Sequence, residues 1–237
     1  EKWWGLIKSW QKRDCLAFDQ SGDIIKPQYA IKRLCEMTGK NDVYVTTEVG
    51  QHQMWAAQYF AFEQPNRWMT SGGLGTMGYG LPSAMGVQVA HPDALVIDIA
   101  GEASFMMNMQ ELSTLAQYNL PVKMFIINNE WMGMVRQWQE LLHGGRYAES
   151  YTASLPDFVK LAESFGWTGI RATTPGELDG AIEAMIKADG PVLADICIDK
   201  VENCFPMIPS GAAHCDMLLG PEDEAERPIS EDGMVLV

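Results

Sequence analysis

The sequence predicts an α/β protein: a parallel sheet of about six strands with helices on both faces, followed by a C-terminal arm. Three observations carry this expectation. Short β-branched and apolar runs alternate with stretches of helical periodicity, the pattern of strands joined by crossover helices. Hydrophobic residues make up 47% of 237 positions, enough for one large core and too many for a disordered chain. Two apolar runs, 94–100 and 122–127, are closed by Gly101-Glu102-Ala103-Ser104 and by Asn128-Asn129. An acid closing one strand and a carboxamide closing the next converge at the carboxyl edge of a parallel sheet, where open α/β folds bind ligands.

The elements follow in order. Residues 1–25 are Trp-rich and then polar, ending in the loop 19–23, and stand apart from the body at 26–200. Pro27 opens a helix over about 27–38, with Ile31, Leu34 and Cys35 on one face. Val43 to Thr47 is a short strand, broken by Gly50, and a helix containing Met54, Trp55 and Tyr59 follows. Trp68 to Thr70 leads into a glycine-dense loop and then a small-residue helix over about 81–90. After the strand at 94–100, residues 107–118 form a helix with Leu112, Leu115 and Ala116 facing inward. The strand at 122–127 precedes a helix at 130–142. A helix near 156–165, a strand at 167–172, a helix at 175–188 and a strand at 191–197 complete the body. The segment 201–237, rich in Pro, Gly and acid, is expected to be an extended arm. No internal repeat occurs.

Composition removes several classes of function. A net charge of −14 argues against a nucleic-acid surface. No run of 18 apolar residues exists, so no membrane span is expected. The N-terminus, Glu1-Lys-Trp-Trp-Gly-Leu-Ile-Lys8, lacks the apolar core of a signal peptide; the absent initiator Met points to a start inside a longer polypeptide. Cysteines 15, 35, 197, 204 and 215 are odd in number and contain no Cys-x-x-Cys pair, the usage of a reduced compartment. A cytoplasmic location is therefore expected, or an organelle stroma in a eukaryote.

Glu102, the Asn129 amide oxygen and nearby backbone carbonyls form an all-oxygen set. Such a set suits Mg²⁺, which keeps few protein ligands and takes the rest from phosphates and water. An acidic protein that binds a diphosphate needs either such a cation or backbone amides to offset bulk repulsion. Singly, each residue would be a solvated strand end. Together they matter because 24 residues, 104–127, separate Ala103 from Asn128, room for one crossover helix and one strand. A competing signal is Gly73-Leu-Gly75-Thr-Met-Gly78 with Asp98 twenty residues on, the nominal dinucleotide fingerprint. Residues 67–71 make a poor buried strand for it, and Pro82 belongs in the first turn of a helix starting after Gly80. The glycines are therefore expected to let backbone approach a ligand.

Gly101 to Ala103, the interval of 24 and Asn128-Asn129 resemble the thiamine diphosphate signature, in which Gly-Asp-Gly precedes a paired Asn. The run from Met106 to Tyr147, with segments 50–55, 72–78, 133–138 and 206–211, resembles the acetohydroxyacid (acetolactate) synthase large-subunit family. The likeness extends over nearly the whole chain but corresponds to the last third of that family's polypeptide, the cofactor domain. The resemblance implies that Glu102, Asn129 and the carbonyl of Trp131 ligate Mg²⁺. Gly50 would precede the diphosphate contacts of Gln51, His52, Ala103 and Ser104. Gly75, Met77 and Met134 would hold the two rings in a bent conformation. Val135 and Trp138 would line a substrate channel, with Ser210 of the arm near its entrance. Glu102 departs from the usual Asp, moving the carboxylate by about 1.5 Å.

The implied reaction decarboxylates pyruvate and joins the hydroxyethyl unit to pyruvate or 2-oxobutyrate, opening branched-chain amino acid synthesis. The family takes its activating glutamate from an N-terminal domain across a dimer interface, and FAD largely from a middle domain. No segment here resembles the first, and of the preceding domain only a remnant is expected, at residues 1–25, so this chain alone is expected to bind the Mg²⁺-cofactor weakly and not to turn over. The resemblance further implies a homodimer or tetramer and leaves room for a small regulatory subunit. A related thiamine-dependent decarboxylase or lyase and a non-catalytic assembly module remain as alternatives. Apolar surface expected on residues 1–10 and on the 130–142 helix would be buried by other domains or a second copy.

Overall fold

A computed structural model describes residues 2–39, 41–152 and 154–223. Six strands form one sheet: β1 (Val43–Thr47), β2 (Trp68–Met69), β3 (Leu95–Ala100), β4 (Lys123–Asn128), β5 (Thr168–Ala172) and β6 (Val192–Cys197). The order is β2-β1-β3-β4-β6-β5, and every pairing is parallel. The helices are α1 (Lys2–Gln11), α2 (Pro27–Thr38), α3 (Gln51–Tyr59), α4 (Gly80–Ala90), α5 (Glu102–Phe105), α6 (Glu111–Gln117), α7 (Gly133–Leu142), α8 (Phe158–Ser164) and α9 (Pro175–Lys187).

Strand alternation divides the interior into two apolar layers. Ile97, Ile99, Phe125 and Ile127 face a layer with Ile31, Leu34 and Trp55 of α2 and α3 and Ile182 of α9. Val96, Ala100, Met124 and Ile126 face the other, with Leu81, Leu112, Leu115 and Phe158 of α4, α6 and α8. Neighbouring β1 and β3 therefore send their following helices to opposite faces. Their carboxyl ends open the crevice in which parallel sheets hold ligands.

The differences from expectation are local. The sixth strand is β2, two residues that pair with β1 at the sheet edge (Val45 with Trp68). The segment 107–118 is helical only from Glu111 to Gln117. Before it, short i→i+3 bonds such as Met107 N–H to Ser104 O and Asn108 N–H to Phe105 O turn the chain. The helix expected from 130 starts at Gly133, because residues 130–132 belong to a loop in which Trp131 bridges Tyr151. The glycine segment 73–78 opens no dinucleotide helix: α4 begins at Gly80, with Pro82 in its first turn. Residues 2–11 form α1, which buries no side chain and exposes Trp3, Trp4, Leu6 and Trp10. Exposure of Val135 and Trp138 on α7 also matches expectation. The arm enters the body first: Cys204 is fully buried in the α2–α3 layer, and Met207 bridges Leu218. The arm's last stretch, 224–237, lies outside the described residues. All five cysteines are free, and among the described residues no helix is long and apolar enough to cross a membrane.

Candidate cofactor site

Loops after β1, β3 and β4, with the first turns of the helices that follow them, surround a cleft of about 440 Å³ including its open mouth. Gly50, Gln51 and His52 come from the first loop, Glu102, Ala103 and Ser104 from the second, and Asn129, Trp131 and Met134 from the third. Met77 enters from the glycine segment.

The paired asparagines have different tasks. Asn128 Oδ1 accepts from Glu130 N–H at 3.2 Å, and Asn129 Oδ1 accepts from Trp131 N–H at 3.1 Å. Each is a side chain capping the backbone two residues on, the local turn that asparagine favours. Glu130, between them, takes a left-handed φ of 61°. Asn128 Nδ2 then points to Asp195 of β6 at 2.9 Å, whereas Asn129 Nδ2 donates to Gln51 Oε1 at 3.1 Å in the cleft wall.

Glu102 is buried at the start of α5, and its Oε1 has no hydrogen-bond partner. Burial pushes its pKa up to about 8, against the pull of the N–H groups of residues 102, 129 and 131. Those N–H groups bring the carboxylate against the Asn129–Trp131 loop, and residues 102, 129 and 131 line one cleft. An orphaned buried carboxylate oxygen in a wall that also carries amide and carbonyl groups fits Mg²⁺. Among the described residues no group of three His, Cys, Asp or Glu side chains gathers to hold a metal. A cation here would thus draw its remaining ligands from a bound phosphate and water.

His52 is buried, and desolvation drives its pKa down to about 3, with only the Glu48 carbonyl favouring the charged form. Its Nε2 has no partner. In the neutral ring the Glu48 carbonyl takes the one N–H and Nε2 is an acceptor, so Nε2 can donate to an anion only when a bound diphosphate brings a proton onto the ring. Glycine is required next to it: a Cβ on Gly101 would lie 2.6 Å from His52 Nδ1. A Cβ on Gly133 would likewise meet Gln51 Oε1 at 2.1 Å.

Two expected contacts take a different form. Ser104 Oγ donates to Glu48 Oε2 at 2.8 Å, and Gln51 Nε2 donates to Gln137 Oε1 at 2.8 Å and to the Glu202 carbonyl at 3.0 Å. Their side-chain hydrogens are committed. What they offer an anion is backbone N–H at the first turns of α3 and α5, where no intrahelical partner exists. Gly75, with φ 72°, and Ser210 line neither this cleft nor the hollow beside it. That hollow shares Met134 and Val135 with the cleft and continues to Trp138.

Sequence reasoning missed Glu48. Fully buried, it accepts from Gly78 N–H at 2.7 Å, Leu81 N–H at 3.0 Å and Ser104 Oγ, tying the glycine segment to α5. Its only local signal was an acid immediately after a strand. Gln137, inside the 133–138 segment, was also given no role.

The thiamine pyrophosphate enzyme C-terminal TPP-binding domain matches residues 48–196. The acetolactate synthase large subunit of Haemophilus influenzae is 45% identical over 226 residues, 94% of this chain and 39% of the relative. Isozyme 3 large subunit of Escherichia coli K12 is 46% identical, over 92% of this chain and 38% of the relative. The mitochondrial catalytic subunit of Saccharomyces cerevisiae acetolactate synthase is 45% identical, over 97% and 34%. The chain thus spans less than two fifths of the length of these relatives. A matched domain of 149 residues centred on the cleft, with Glu102 and Asn129 inside it, makes this chain a member of the thiamine pyrophosphate enzyme family, carrying its C-terminal cofactor-binding domain.

Proposed function

We propose that the cleft binds thiamine diphosphate through Mg²⁺ as the cofactor domain of an acetolactate synthase. The observation that carries this reading is the unpartnered Glu102 Oε1 in a cleft shared with Asn129 and Trp131. Glu102, Asn129 Oδ1 and the Trp131 carbonyl would hold the cation. His52 and the first-turn N–H groups of α3 and α5 would take the diphosphate oxygens, with Met77 and Met134 against the rings and Gly75 shaping the loop behind them. When bound, the cofactor supplies an electron sink for decarboxylating a 2-oxoacid. This chain's residues bind it, bend it and exclude water around it.

Pyruvate as donor, and pyruvate or 2-oxobutyrate as acceptor, follow from the likeness to acetolactate synthases, and the hollow reaching Trp138 is wide enough to admit them. The activating glutamate, FAD and the dimer or tetramer contacts would come from segments beyond this chain or from another copy. Ser210 would approach the entrance only in that assembly. The same assembly leaves room for a small regulatory subunit.

Titrating thiamine diphosphate into the chain with Mg²⁺ and with chelator tests the binding. Saturable binding only in the presence of metal is expected, and binding indifferent to metal overturns the reading. Incubated with pyruvate, Mg²⁺ and cofactor, the chain is expected to make no acetolactate. Acetolactate from residues 1–237 alone would refute an activating group supplied from elsewhere.

A further inference from the structure

Behind the cleft runs a closed series of buried carboxamides. Asn129 Nδ2 donates to Gln51 Oε1 at 3.1 Å, and Gln51 Nε2 donates to Gln137 Oε1 at 2.8 Å and to the Glu202 carbonyl at 3.0 Å. Gln137 Oε1 also accepts from Cys204 N–H at 2.8 Å, while its Nε2 donates to the Cys204 carbonyl at 3.0 Å. Gln51, Asn129, Gln137 and Cys204 are all buried. Next to Gln137 on α7, the buried Arg136 Nη2 holds the Val201 carbonyl at 2.8 Å and Asn203 Oδ1 at 2.5 Å, fixing the arm where it enters the body.

The direction of these bonds leaves no freedom. A carboxamide has one acceptor end and one donor end, and turning it over inverts both. Two backbone groups of residue 204, one N–H and one C=O, dictate which way Gln137 faces. Gln137 then presents its oxygen to Gln51, Gln51 presents its oxygen to Asn129, and Asn129 must give up its nitrogen. Its oxygen is left as the atom with a spare lone pair, since Trp131 N–H uses only one. We propose that Gln137 is a positioning residue through which arm residues 202–204 fix the Asn129 carboxamide with its oxygen, not its nitrogen, available to a divalent cation. This rests on the reading of Asn129 as a Mg²⁺ ligand. Without the relay only the Trp131 N–H holds the amide, and its oxygen is less firmly aimed at a cation. Outer partners that orient a ligand typically contribute about 10- to 100-fold to metal affinity.

The test separates orientation from packing with two substitutions in the purified chain. Gln137→Met keeps the volume but neither accepts from Gln51 nor holds residue 204. Gln137→Glu keeps the oxygen that accepts from Gln51 Nε2 and Cys204 N–H and loses only the donor. Packing alone ranks Met above Glu, because an unpaired buried carboxyl costs more than a thioether. The relay ranks them the other way for metal. Mg²⁺ is titrated calorimetrically at a fixed excess of thiamine diphosphate, and melting temperatures are recorded without ligand. The expected result is an affinity about tenfold weaker in Q137M and within about threefold of wild type in Q137E, although Q137E melts lower. Affinities that follow the order of melting temperatures, or a Q137M value within about threefold of wild type, overturn the inference and leave the site reading intact. A wild-type chain with no Mg²⁺-dependent binding overturns both. Should Q137M fail to fold, Q137E decides alone, and a loss of about tenfold in it refutes the relay.

Discussion

Two groups of buried carboxylates sit at the same edge of the sheet and behave differently. Glu48, at the end of β1, is surrounded by donors: two backbone N–H groups and the Ser104 hydroxyl converge on it. Asp98, beneath it in β3, accepts from Thr46 Oγ1 at 2.7 Å, and a Cβ on Gly80 would come within 2.2 Å of it. Burial raises both pKa values, and the Glu48 charge pushes Asp98 further. Glu102, after β3, is equally buried and also raised, yet it keeps an oxygen unpartnered and is a residue that lines the cleft. Asp98 Oδ2 is unpartnered as well, but Asp98 does not line this cleft. Burial and a displaced pKa therefore do not by themselves mark a site; an unsatisfied atom on a cleft-lining residue does.

The contrast is broken most severely at Glu102. Glu102→Ala is expected to weaken Mg²⁺-dependent cofactor binding by at least ~100-fold, more than the loss of an outer partner, while leaving the fold intact by circular dichroism. Calorimetry decides, and wild-type affinity in the variant would place the cation elsewhere. A smaller effect is expected at His52, which lines the same cleft and has an unpartnered nitrogen. His52→Ala should weaken thiamine diphosphate by about tenfold, the worth of one hydrogen bond to a charged group. It should leave the affinity for thiamine, which lacks the diphosphate, unchanged. Equal losses for both ligands would assign His52 to ring packing.

The smallest effect lies on the structural side. Asp98 holds a proton in the folded chain that the unfolded chain releases near its ordinary value of 3.8. Its raised pKa means that stability is lost as pH climbs above that value toward the folded one. Asp98→Asn removes this dependence. Its advantage over wild type is expected to grow steadily as pH rises above about 4, read as a widening gap in melting temperature. A constant gap would mean that Asp98 does not titrate with folding.

Much of the scaffold was legible because it is written locally. The runs at 94–100 and 122–127 specify β3 and β4, and their closing residues Glu102 and Asn129 arrive in one cleft as the crossover spacing predicts. Pro82 and the small residues after it locate α4 to within a residue. What escaped was decided over long distances. Two residues of β2 become a strand only because β1 lies beside them. The division of 107–118 depends on how the turn after α5 closes, and periodicity is blind to that. Glu48 joins groups 30 and 56 positions away, and the Gln51–Gln137 bond spans 86. No window on the sequence contains both partners of such a pair. α1 was hidden for a different reason: tryptophans at 3, 4 and 10 are exposed, so among the described residues its apolar pattern meets no core.

The two glycines that press on His52 and Gln51 set a limit on redesign. At positions 101 and 133 even the smallest added methyl would displace the imidazole or the carboxamide behind it. An engineer seeking a roomier or differently shaped chamber must therefore leave that back wall alone. The usable variation lies toward Val135 and Trp138, where the floor of the hollow already meets water.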